Sequence, residues 1–397
     1  MGKKIALMGL YSILNMGDRI LCDTTEYLIR QEMPDAEIIK VDAFPVYRSL
    51  FSGIDNFNYR VSRKLELHGK KKFEYTDGSM QRYRYERAYI RLRFYRYYKK
   101  MLRDVDAIIF AGGGFVKFRT QGLNYCVEMA GDIARKRNIP VMLNAIGIEG
   151  FDINDERCRA LREYLNSGQF KVITTRDDID ILDNGYIQRD DIVTARVGDP
   201  ALWSPECYGV SRTLDEDAPI GINVVRGGVF QEYGNRLDYD DVKAFYCELL
   251  RELDRRGMKW VLFTNGLKSD QRMARKILAD LGLEEDGNLL PEPGDPETFL
   301  DLIKSFRCIF GARLHASITS YALDVPVTGF IWNEKIRMFA EVIGKPQNFL
   351  EEDEIDAVRF ADLLQQIQTE QYDTERRSQI REQTREYLAR FLNDHLY

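Results

Sequence analysis

One rhythm constrains the fold of this chain more than any single motif. Short runs suited to buried strands alternate with longer amphipathic stretches suited to helices. The strand-like runs are Lys4–Met8, Glu37–Asp42, Ala107–Phe110, Val141–Ile146, Lys171–Thr174 and Ile192–Arg196, then Ile220–Val225, Lys259–Phe263, Cys308–Phe310 and Val327–Ile331. Helical stretches fall between them at Ile20–Gln31, 122–137, 155–167, Asp177–Asn184, 239–256, 269–282, 296–305 and from about Leu314. Strand–helix repeats of this kind fold as parallel sheets with helices on both faces. Polar, turn-rich residues 204–218 interrupt the repeat and read as a linker. The expectation is therefore an α/β chain of two doubly wound domains, 1–205 and 215–350, followed by C-terminal helices over 351–397. A length of 397 residues also favours two cores over one.

Ligands of doubly wound sheets bind beyond the C-terminal ends of the strands, so the loops there hold the candidate residues. After the first strand come Asn15, Gly17 and Asp18. Gly17 leaves room for a ligand to approach the backbone; Asp18 suits a helix cap or a hydroxyl ligand, and Asn15 is equally open. The G-x-G-x-x-G of dinucleotide sites is absent. Gly112, Gly113 and Gly114 permit positive φ and close backbone approach, with a tight turn as the plainer reading. Arg176 follows the strand at 171–174, and Asp177 and Asp178 suit caps of the next helix. The second half places Arg226 in an RGG loop and Asn265 in a TNG loop. Gly311 ends a strand, and Arg313 and His315 stand where the next helix begins. Unpaired N–H groups and the helix dipole favour an anion at such a place. The plainer alternative is a surface ion pair for Arg313 and a packed imidazole for His315.

Residues 45–103 break the rhythm. They carry 16 Lys/Arg against 5 Asp/Glu in a chain of formal net charge −6. Arg82, Arg84, Arg87, Arg91, Arg93 and Arg96 are interleaved with tyrosines. A solvated helix with inward tyrosines is the plainer reading. The functional ones are contact with an anionic membrane surface or with an acidic glycan acceptor. Nucleic acid is not expected: no recognition motif accompanies the charge, and the pI is near 5.5. The six cysteines show no C-x-x-C, and no histidine–carboxylate cluster stands out, so no metal is expected. The start, MGKKIALMGLYSIL, reads as a first buried strand, not as a signal peptide, and no apolar run is long enough to span a bilayer. The expected location is cytoplasmic, with peripheral contact at the inner membrane face as the reading for the basic insert.

LNMGD (14–18), AGGGF (111–115), TTRDD (174–178), VGDPAL (197–202) and GARLHASI (311–318), in that order, resemble the motif set of the polysaccharide pyruvyl transferase family. The resemblance covers about residues 4–345. It implies a GT-B-like fold of two facing Rossmann-like domains, with the acceptor on the N-terminal side and the donor on the C-terminal side. It also implies transfer of pyruvyl from phosphoenolpyruvate to a sugar of a polysaccharide or its lipid-linked oligosaccharide precursor, usually as a cyclic ketal. No cofactor is implied beyond that donor. Arg176, Arg313 and His315 carry over as donor-binding and catalytic residues. Arginine suits a carboxylate and a phosphate through paired hydrogen bonds, and histidine suits proton delivery near neutral pH. Two rivals remain: a sugar-nucleotide glycosyltransferase of the same fold, and a non-catalytic glycan- or membrane-surface-binding protein that retains it.

Overall fold

The structure is a computed structural model that describes residues 2–12, 14–45, 52–74, 77–117, 121–212, 215 and 217–397. Ile13 of the first loop and residues 46–51, 75 and 76 of the basic insert lie outside the described residues. So do Lys117's followers 118–120 and linker positions 213, 214 and 216.

The chain forms two compact units. The first comprises Met1–Ile13, Leu21–Pro200 and Ile380–Tyr397; the second comprises Leu14–Ile20 and Ala201–Gln379. In chain order the first unit is built from β1 (Lys4–Gly9), α1 (Met16–Glu32, whose first turn groups with the second unit), β2 (Glu37–Asp42), α2 (Gly53–Lys72), α3 (Met80–Met101), β3 (Ala107–Ala111), α4 (Asn124–Arg137), β4 (Val141–Ile146), α5 (Glu156–Leu165), β5 (Phe170–Thr175) and β6 (Val193–Arg196). The six strands are all parallel in the order β2-β1-β3-β4-β5-β6. Every residue of β3 and β4 is buried, as befits strands covered on both faces. Ile181–Tyr186, expected as part of an α-helix, is a short π-helix. The basic insert folds as two helices, α2 and α3, and α3 sends Tyr83, Tyr89, Ile90, Phe94 and Tyr98 into the core.

The second unit continues with α6 (Ser204–Tyr208), β7 (Ile220–Asn223), α7 (Val229–Glu232), α8 (Tyr239–Arg255), β8 (Trp260–Phe263), α9 (Lys268–Leu281), α10 (Pro296–Lys304), β9 (Ile309–Phe310), α11 (Leu314–Ala322), β10 (Val327–Phe330), α12 (Glu334–Val342), β11 (Phe349–Leu350) and α13 (Ala357–Ile367). Its sheet is again all parallel, in the order β11-β10-β9-β7-β8. Helix starts follow from local chemistry: Asp238, Asp295, Asn333 and Asp356 accept backbone N–H bonds in the first turns of α8, α10, α12 and α13. The last helix, α14 (Thr374–Leu396), begins in the second unit, and from Ile380 onward it belongs to the first. There Thr384 donates to the Gly198 carbonyl at 2.6 Å. The sheet is thus the expected one, with β11, α6 and α7 added by short segments that sequence periodicity does not reveal.

Both sheets have a point where strand order reverses. In the first it lies between β1 and β3, and in the second between β7 and β9. Open parallel sheets bind ligands at such points.

Candidate functional site

In the second unit the reversal point brings the loop after β7 beside the loop after β9. The Arg313 backbone N–H, at the N-cap of α11, donates to Asn223 Oδ1 at 2.9 Å. Asn223 Nδ2 donates to Asn265 Oδ1 at 2.9 Å, which links the end of β7 to the loop after β8. Both asparagines are fully buried. Among the described residues Asn265 Nδ2 has no acceptor, so this relay ends in a buried donor available to an oxygen of a ligand.

The Arg313 guanidinium is held just as firmly. Its Nε and Nη2 donate to the Asp270 carboxylate at 2.9 and 2.8 Å. Asp270, in the first turn of α9, is completely buried and also accepts the Arg226 backbone N–H at 3.1 Å. A bidentate pair fixes the plane of the fork. It uses two of the five guanidinium N–H donors and leaves three for an anion. The Arg226 side chain turns to Glu232 in a half-exposed ion pair.

His315 lies one residue beyond the start of α11 and is 8% exposed. Its ring rests on the backbone of Gly17: a Cβ at Gly17 would fall on the imidazole Cγ, Cβ and Nδ1. The close approach expected at Gly17 is therefore made by a side chain of this protein. Residues 14–20 are bound into this unit by backbone and side-chain bonds. Met16 N–H donates to the Asn265 carbonyl at 3.0 Å, and Arg19 Nη1 to the Gly294 carbonyl at 3.0 Å. A Cβ at Gly266, whose φ is 94°, would lie 2.5 Å from the Leu14 carbonyl oxygen. Asn15 Nδ2 donates to Asp18 Oδ2 at 2.8 Å, so these two polar residues hold each other at the start of α1. At Gly311 the constraint is space and not φ: a Cβ there would strike Ser317 Oγ.

Asn15, Gly17, Asp18, Arg226, Asn265, Arg313 and His315 thus gather in the second unit. Gly112, Gly113, Gly114 and Arg176 lie in the first, at the C-terminal ends of β3 and β5. Gly112 and Gly113 take φ of 57° and 80°, and their turn is tied to β4: Gly112 N–H donates to the Asn144 carbonyl at 2.9 Å. Arg176 is buried and forms an ion pair with Asp199 of the VGDP segment. Asp178 caps as expected, accepting from the Asp180 and Ile181 N–H groups at 2.8 and 3.3 Å. The Asp177 carboxylate accepts the Ile148 N–H at 2.9 Å and holds the loop after β4.

Asp270, Asn223 and Asn144 stood outside every sequence motif, and Asp199 stood within VGDPAL as a turn residue with no assigned partner. Asn144 is fully buried within β4, and among the described residues neither side-chain polar atom has a partner. Asn144 and Asn223 did carry a signal, each being one amide in an otherwise apolar strand. Asp270 carried none, because its arginine partner lies 43 residues away, and Asp199, though within VGDPAL, gave no sign of its pairing with Arg176, 23 residues away. Among the described residues no group of three or more His, Cys, Asp or Glu is placed to hold a metal ion.

Solved structures share this architecture. UDP-GlcNAc 2-epimerase of Methanocaldococcus jannaschii, solved with UDP-GlcNAc and UDP, matches with a TM-score of 0.57 at 12% identity, over 99% of this chain and 100% of that one. The Neisseria meningitidis UDP-GlcNAc 2-epimerase bound to UDP-GlcNAc matches with a TM-score of 0.55 at 11% identity, over 99% and 100%. At such identities the likeness is one of fold, and the fold is GT-B-like. No curated protein sequence matches the chain. The sequence profile of the polysaccharide pyruvyl transferases does match, from Asn15 of the first loop to Glu334 at the start of α12, and it takes in every candidate residue above. With four fifths of its length inside that profile, the chain belongs to the polysaccharide pyruvyl transferase family.

Proposed function

We propose that the protein transfers the pyruvyl group of phosphoenolpyruvate to a sugar of a polysaccharide, or of its lipid-linked precursor, and closes it as a ketal. The observation that carries this reading is the Arg313 fork, locked by buried Asp270 beside His315 at the start of α11. Phosphoenolpyruvate offers a carboxylate and a phosphate, and a fixed fork with three spare donors suits either group. The helix start adds unpaired N–H groups of the same polarity. Arg176, clamped by Asp199 in its own unit, is assigned an anionic group of substrate on the same grounds.

In this mechanism His315 delivers a proton to the methylene carbon of the enol. C2 becomes oxocarbenium-like, and a sugar hydroxyl adds to it, releasing its own proton. Phosphate then leaves C2 with the bonding electron pair. A second hydroxyl of the same sugar adds and loses its proton, closing the ring. The net change is phosphoenolpyruvate plus a diol giving a pyruvate ketal plus phosphate. The sugar-nucleotide reading draws only on fold, since the epimerases named above bind UDP-sugars.

A calorimetric and thermal-shift titration with phosphoenolpyruvate, UDP and GDP separates these readings. A ligand at 100 times its Kd stabilises by about 2.7 kcal/mol. Stabilisation by phosphoenolpyruvate alone is expected, and it should shrink sharply in Arg313→Lys, which keeps the charge and loses the fork. Lysine is preferable to alanine here, because removing the cation strands the buried Asp270 charge at a cost of about 3–5 kcal/mol. Stabilisation by UDP or GDP and not by phosphoenolpyruvate would overturn the proposal.

A further inference from the structure

The transfer chemistry leaves the basic insert unexplained, and its two helices divide their charges in an unexpected way. Four of the six arginines of α3 are turned toward carboxylates or carbonyls of the fold, while Arg84 and Arg96 are exposed. Arg82 bonds Glu86 and the carbonyls of Glu74 and Asp77. Arg87 and Arg91 pair with Glu128 and Asp132 of α4. Arg93 is buried and pairs with Glu66 of α2. The two carboxylates of α2 are used in the same seam: Glu66 as above, and Asp55 by Arg96.

The outer side of α2 is different. Ile54, Phe57, Val61 and Leu65 recur there at helical spacing, and Ile54, Phe57 and Leu65 are 60%, 65% and 36% exposed. Arg60, Lys64 and Lys71 flank this stripe, and among the described residues none of the three has a carboxylate partner. The helix thus presents apolar and cationic groups outward and keeps its acids inside.

We propose that this face of α2 seats the protein on an anionic lipid bilayer. Phe57, Ile54 and Leu65 enter the boundary between headgroups and acyl chains, while Arg60, Lys64 and Lys71 meet lipid phosphates. Charge complementarity selects this occupant: a face with unpaired cations and no outward acid matches a surface of fixed anions. No helix among the described residues is long and apolar enough to cross a membrane, so the seat is in the interface. The proposal stands apart from the donor assignment, and it would bring the transferase to lipid-linked acceptors.

The test is co-sedimentation of the full-length protein with vesicles, without any turnover assay. Vesicles of mixed phosphatidylglycerol and phosphatidylcholine should carry the protein down, pure phosphatidylcholine should not, and added salt should weaken the binding. Lys64→Gln and Lys71→Gln should each weaken it by about fivefold. Phe57→Ser should weaken it at least as much, and all three should keep the wild-type circular dichroism and melting temperature, since these side chains are exposed. Failure of the wild type to bind anionic vesicles, or undiminished binding when Lys64→Gln, Lys71→Gln and Phe57→Ser are combined in one protein, would overturn the proposal. So would a wild-type dimer that Phe57→Ser dissociates without any vesicle binding, which would make the face a contact between copies.

Discussion

At the scale of single residues, the site depends on how two side chains are held. Arg313 has its fork set by Asp270 and its backbone by Asn223, so little rotamer entropy remains to be lost when an anion binds. His315 is held by contact, with its ring lying where any side chain at residue 17 would stand. If His315 delivers the proton, His315→Ala should lower kcat by about 10²–10⁴-fold and leave the circular dichroism unchanged; near-wild-type turnover would remove it from the mechanism. Gly17→Ala forces the imidazole aside, so it should lower kcat and cost about 1–3 kcal/mol in stability. In a His315→Gly background the same change should cost much less, because both the ring and the Cβ it would strike are gone. Urea unfolding of the four proteins of that cycle measures the coupling, and simple additivity would show that the two residues do not meet.

At the scale of elements, α3 against α4 shows what the sequence could convey and what it could not. The helical periods of both segments, the inward tyrosines and the glycine turns at strand ends were legible, since each is encoded within a few residues. The polar seam was not. Arg87 gives no local sign that its partners are Glu128 and Asp132 on another helix, and Arg93 reads as solvent-facing until Ser62 and Glu66 are brought beneath it. Likewise the place of Arg313 at a helix start was legible from the sequence, while Asp270, which fixes its guanidinium, became visible only through the fold. This seam has a measurable consequence. Burial pushes the Glu128 carboxyl up from the ordinary 4.5 to about 7, although Arg87 and the Tyr83 hydroxyl oppose the shift. The unfolded chain releases that proton near pH 4.5, and the folded chain holds it until about pH 7. Between those values the folded state binds more protons, so this group makes stability fall as pH rises, by on the order of 3 kcal/mol in total. Glu128→Gln removes the titration. Its stability relative to wild type should therefore rise between pH 4.5 and pH 7, and a pH-independent difference in urea midpoints would contradict the assignment.

At the scale of the whole molecule, neither unit is a single continuous stretch of chain. The first unit is completed by residues 380–397, which return to it after the second unit is built. A family profile that ends at Glu334 says nothing of this segment, and its amphipathic pattern alone cannot say which core it serves. Packing does. A Cβ at Gly198 would lie 2.6 Å from the Ile380 carbonyl oxygen, and Thr384 bonds that same glycine's carbonyl. Leu388, Phe391, Leu392 and Leu396 are then buried about one to three turns further along α14. At about 1.5–3 kcal/mol for each such side chain, four of them approach the entire stability of a domain, about 5–15 kcal/mol. The last helix is thus a core element of the first unit supplied from the far end of the chain. Phe391→Ala should cost about 3–5 kcal/mol, and a chain ending at Gln379 should lose protection from hydrogen exchange in β1 and β3 while keeping it in β7 and β9. Equal protection of both sheets after that truncation would show that residues 380–397 only cover the first unit and do not hold it together.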